Sequence, residues 1–97
     1  MSRPVFYVDF NEMVDANTVL LSREDVKVDR SGVNVRLHEG MLISVCMDDL
    51  DEHGKIDDLV ANGVVVRNVN PGWGAHVKWS CQIDEDGIRT QSEVMKD

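Results

Sequence analysis

Ala75, Val77, Trp79, Cys81 and Ile83 alternate with His76, Lys78, Ser80 and Gln82. A strand sends successive side chains to opposite faces, so this string buries one clean face when extended. Wound as a helix, it would scatter the same apolar residues around the circumference. Val26, Val28, Val33, Val35 and Leu37 repeat the two-residue period, and no stretch carries a sustained helical stripe. The chain is predicted to be all-β.

Turn chemistry divides the strands. Asp29-Arg30-Ser31-Gly32 and Asp84-Glu85-Asp86-Gly87 both place Asp first and Gly fourth, the residues of a type I turn that closes through a left-handed position. Two hairpins are therefore expected, and the second pairs residues 75–83 with a strand starting near Ile88. His38-Glu39-Gly40 marks another reversal ahead of a strand over 41–47. Residues 59–69 are rich in β-branched side chains, and Asn62-Gly63 within them marks a bulge or a tight turn, of which the bulge better fits a small curved barrel. Phe6, Val8 and Phe10 suggest a first strand and Val19-Leu20-Leu21 a short second one. Residues 22–25 can cap one helical turn at most, and 92–97 read as a frayed tail.

At 97 residues the chain has the length of one domain. Ten Lys and Arg against eighteen Asp and Glu give a net charge of −8. Nucleic-acid phosphates and anionic lipid surfaces need clustered cations, so neither is an expected partner. No run of apolar residues is long enough for a membrane span, and Asp9 interrupts the start where a signal peptide would stay apolar. Two cysteines 35 positions apart, with no ligand-spaced neighbour, predict free thiols in a cytoplasmic protein.

The order of Gly40-Met41, an acidic loop, Gly63-Val64-Val65-Val66, Val77-Lys78-Trp79, a short turn and a last strand resembles an SH3-like small barrel. Five or six short antiparallel strands joined by hairpins suggest a barrel or compressed sandwich; the resemblance covers roughly 40–90, with 1–39 as an N-terminal extension and 91–97 as tail. Around Asp29-Arg30-Ser31-Gly32 the chain also resembles the PilZ barrels that bind cyclic dinucleotides. There Lys27 replaces the second arginine of the R-x-x-x-R pair that Arg23 would begin, and Asn34 replaces the glycine of D-x-S-x-x-G. Lysine lacks the planar fork that grips guanine or phosphate, so no nucleotide is expected.

Two groups of residues are candidates for chemistry. Asp48, Asp49, Asp51, Glu52, Asp57 and Asp58 share residues 48–58 with a single cation, Lys55. Set on a calcium loop with Gly54 at the sixth position, Asp49, Asp51 and Asp57 become candidate metal ligands, while His53 and Val60 occupy positions that want oxygen. The plain alternative is a solvated acidic loop that protects a sheet edge. The second group is Trp73, flanked by Gly72 and Gly74, with Tyr7, His76 and Lys78 as an aromatic and basic ligand-binding surface. Trp73 folded over the barrel end as a lid on the core is the slightly favoured alternative. Trp79 and Cys81 read as core, and the exposure of Cys46 stays open.

Cys46, Cys81, His38, His53 and His76 stand in no zinc or nucleophile spacing. Gly72-Trp73-Gly74 leads into no helix that could hold a phosphate. No cofactor is expected, and catalysis is the less favoured class. The reading is a small acidic binding module for a protein or peptide, basic by charge complementarity. A calcium-binding or enzymatic protein built on the acidic loop is the competing class.

Overall fold

The computed structural model describes residues 3–69, 72 and 74–95. Along them run β1 (Val5–Tyr7), β2 (Met13–Asp15), β3 (Thr18–Ser22), β4 (Val26–Val28), β5 (Asn34–Arg36), β6 (Leu42–Met47), β7 (Leu59–Arg67), β8 (Trp79–Ile83), β9 (Arg89–Thr90) and α1 (Gln91–Met95). The main sheet has the order β1-β6-β7-β8-β3-β2, β9 also pairs with β7, and β4 and β5 make a separate two-stranded sheet. The all-β expectation holds.

The closed antiparallel barrel does not form. The strand path is open, with β1 and β2 as its terminal strands, and β1 runs parallel to β6, with Phe6 opposite Val45. A parallel pair needs a long crossover, and the β2–β5 segment supplies it. Residues 1–39 therefore do more than extend a barrel. Phe6, Val19 and Leu21 share one buried cluster with Ile43, Val45, Ala61, Val65, Trp79, Cys81 and Ile83. The registers place Phe6, Val45 and Ala61 in one row, and Val65, Cys81 and Val19 in another, all on the same face. Alternation along each strand makes that face apolar, and its burial is the main driving force for the fold.

Several local expectations change. The strand of 75–83 starts only at Trp79. Ala75 N–H donates to the Gly72 carbonyl and Val77 N–H to that of Gly74, so the chain turns twice first. Ala75 is exposed, whereas Ser80, on the outward parity, is buried. Gly63 makes no bulge, because the β6–β7 register runs unbroken from Leu42↔Val64 to Met47↔Leu59. A Cβ at Gly63 would collide with the Gln82 carbonyl and the Cys81 sulfur, so the glycine permits the close approach of β8.

The hairpin expected at 84–87 is replaced by an excursion. Strand β8 holds β7 on one edge and β3 on the other, which leaves no edge for β9. Strand β9 returns instead to β7 at Leu59 and Val60. In the hairpin of β4 and β5, which does form, Lys27 faces Val35 while Val26 and Val28 lie on the other, exposed face. Those valines alternate correctly, but the small sheet presents them outward. The tail is helical over α1, held by the Asp57 carboxylate on Ser92 N–H at 2.9 Å and Ser92 Oγ at 2.8 Å.

Candidate functional site

The acidic segment 48–58 is a miniature hairpin. Leu50 and Ile56 form a bridge, Asp51 N–H donates to the Lys55 carbonyl at 2.8 Å, and Asp57 N–H donates to that of Asp49 at 3.0 Å. Asp51 Oδ1 accepts from His53 N–H at 2.8 Å and from Lys55 N–H at 2.9 Å. Gly54 closes the turn at φ +77°, a conformation side-chain-bearing residues avoid.

This scaffold points two apolar side chains into solvent. Ile56 is 82% exposed and Leu50 59%. Together with Asp48, Asp49 and Asp58 they line an open hollow of about 590 Å³. Asp58 Oδ1 is buried there without a hydrogen-bond partner. An orphaned carboxylate oxygen is costly, because its water has been removed and nothing has replaced it. Among the described residues, the ion-pair contact of the segment joins His53 to Glu52 at 3.6 Å.

Asp49, Asp51 and Asp57 are not brought together as a ligand cage. Asp51 serves the turn, and Asp57 turns away to α1, where the Ser92 backbone and then its hydroxyl hold its carboxyl below the ordinary value. Among the described residues no three His, Cys, Asp or Glu side chains converge as a metal site.

The aromatic and basic group is also dispersed. Trp73 lies outside the described residues. Tyr7 is exposed on β1, with β6 and β7 between it and β8. His76 is exposed beside Leu20, Lys27 and Val77. Lys78 Nζ is committed to Asp25 Oδ1 at 2.6 Å, and Trp79 Nε1 donates to the same oxygen at 3.0 Å. The Lys78 bond and then the indole bond hold the Asp25 carboxyl below its usual range. Arg67 lies 5.4 Å and Lys78 5.5 Å from the Trp79 ring centre, so cations gather on a core tryptophan.

Both cysteines are free and buried. Burial pushes the Cys81 thiol up to about 12, leaving it without nucleophilic character at neutral pH. Burial likewise raises Cys46, with Asp58 and Asp48 adding to the rise and Arg30 opposing it.

The exposed Leu50–Ile56 pair and the orphaned Asp58 oxygen were not singled out from sequence. The signal for the pair was present: Asp51-Glu52-His53-Gly54 repeats the Asp-first, Gly-fourth grammar, with Leu50 and Ile56 flanking it. No family, curated protein or solved structure matches this chain.

Proposed function

We propose that this chain is a small non-catalytic binding module whose 48–58 hairpin takes a basic side chain of a protein partner. The observation that carries the reading is the open hollow that the exposed Leu50 and Ile56 share with Asp48, Asp49 and Asp58. A lysine or arginine suits such a hollow. Its methylene stem covers apolar walls while its charged head meets carboxylates. The charge of −8 attracts such a partner over distance. The antiparallel run β6–β7–β8, with its long first loop, supports keeping the likeness to SH3-like modules for that part of the chain. Two free thiols support a reducing compartment such as the cytoplasm.

The test is fluorescence polarisation with a dye-labelled peptide centred on Lys-Leu-Lys, set against the same peptide with glutamates for lysines. The basic peptide binds more weakly as salt rises, and Asp58→Asn or Ile56→Ser each lowers affinity about tenfold, as loss of an interface anchor does. Equal binding of both peptides, or indifference to both substitutions, refutes the reading.

A further inference from the structure

The sheet face opposite the core carries a second feature, of opposite charge. Register aligns Val5, Ser44 and Asn62 in one row there, and Tyr7, Cys46, Val60 and Arg89 in the next. The β4–β5 turn brings Arg30 over these rows from one side, because Arg30 N–H donates to the Val5 carbonyl on the outer edge of β1. From the other side α1 brings Val94. Arg30, Arg89, Ser44, Asn62, Val60 and Val94 are thereby gathered around a groove of about 190 Å³.

The guanidinium donors of this groove meet no carboxylate among the described residues. The chain has eighteen carboxylates, yet neither Arg30 nor Arg89 forms an ion pair among the described residues. The side-chain contact of Arg30 is a long one, 3.9 Å to the Cys46 sulfur, and Arg89 has none among the described residues. Ser44 Oγ donates to Asn62 Oδ1 at 2.6 Å, which leaves the Asn62 amide N–H groups available. Two guanidinium forks and an amide, with no oxygen acceptor on either fork among the described residues, match an oxyanion.

We propose that this groove binds the carboxylate of a small organic acid, held by Arg30 and Arg89 with its apolar body along Val5, Val60 and Val94. The alternative oxyanion is phosphate. Inorganic phosphate has no apolar body to lie against Val5, Val60 and Val94. This site shares no ligand chemistry with the acidic hairpin, and neither reading depends on the other.

Butyrate, inorganic phosphate and sodium chloride at matched ionic strength are titrated into the folded protein, with side-chain and backbone NMR signals followed. Butyrate gives saturating shifts at the Arg30 and Arg89 Nε–H groups and at Ser44 and Asn62. Arg89→Gln and Arg30→Gln each weaken binding about tenfold or more, and Arg89→Lys restores part of the loss, since charge survives without the fork. An unaltered melting temperature shows that the variants remain folded. Shifts that rise linearly without saturating, that chloride reproduces, or that survive both Gln substitutions overturn the proposal. Tighter binding of phosphate than of butyrate overturns the carboxylate assignment.

Discussion

Two turns with the same chemistry do opposite things in this protein. At 29–33 and at 84–88 an Asp carboxylate accepts the N–H two residues on, at 2.9 Å for Ser31 and 3.1 Å for Asp86. In both, the glycine N–H donates to the Asp carbonyl at 3.0 Å, and the glycine φ is positive, +91° at Gly32 and +69° at Gly87. Thereafter they diverge. Asp29 N–H donates to the Val33 carbonyl and closes a hairpin, whereas Asp84 N–H donates to Asn62 on β7. A turn motif reverses the chain locally, but the strand that follows pairs only where an edge is free. The first turn opens onto unoccupied edges, and the second follows a strand flanked on both sides.

The strongest way to break this comparison is to pry β8 from β7. Gly63→Val forces a side chain into the Gln82 carbonyl and the Cys81 sulfur. The expected cost is about 3 kcal/mol or more, combining overpacking with a displaced backbone. Urea denaturation measures it, and a midpoint like wild type would show that the close approach does not constrain β8.

Next come the glycines of the turns themselves. A Cβ at Gly32 or Gly87 would have nothing within 4 Å, so Gly32→Val and Gly87→Val lose mainly through the left-handed backbone. About 1–2 kcal/mol apiece is expected. Similar losses by chemical denaturation support a shared local grammar, while a much smaller loss at Gly87 would mean that the excursion tolerates other conformations.

Asp29 sharpens the comparison through pH. The Ser31 hydroxyl first, then the Val33 amide, hold its carboxyl below the ordinary 3.8. A depressed carboxylate stabilises the fold fully above its unfolded value, and that contribution fades as pH falls through the folded value. Asp29→Asn therefore flattens the loss of thermal stability below about pH 4. It also destabilises more at neutral pH than Asp84→Asn, because Asp29 Oδ1 accepts three hydrogen bonds, from Ser31 N–H, Ser31 Oγ and Val33 N–H. Equal melting shifts for the two variants would contradict this.

The smallest effect belongs to Ser80, on the strand that bears the second turn. Its hydroxyl is buried between two strands without a partner. Ser80→Ala removes that unsatisfied group and is expected to stabilise by about 0.5 kcal/mol. A clear destabilisation by calorimetry would mean that the hydroxyl has a bound partner in solution.

The legible part of the fold was what depends on neighbours in sequence. Trp79, Cys81 and Ile83 announced their buried face, and Asp29 to Gly32 announced a hairpin. What stayed hidden depends on distant residues. The parallel placing of Val5–Tyr7 against β6 leaves no mark in either segment, and Gly63 reads alike as a bulge or a close approach until Cys81 is beside it. The acidic loop was visible as charge, and basic-partner binding could be argued from it. Its exposed Leu50 and Ile56 required recognising the third turn at Asp51, and the orphaned oxygen of Asp58 required the burial that only tertiary packing creates.

The parallel strand also sets an order of events in folding. Val5–Tyr7 docks against Ser44–Cys46 across about forty residues of chain, and closing so long a loop costs entropy before any contact returns it. On the ribosome the first strand emerges early but has no partner until β6 has left the exit tunnel. The antiparallel ladder of β6, β7 and β8 can nucleate without it, since its contacts join neighbours in the chain. Until that ladder exists, Phe6 has no buried cluster to join. A milder substitution there, such as Phe6→Leu, is thus expected to hasten unfolding while leaving the refolding rate nearly unchanged.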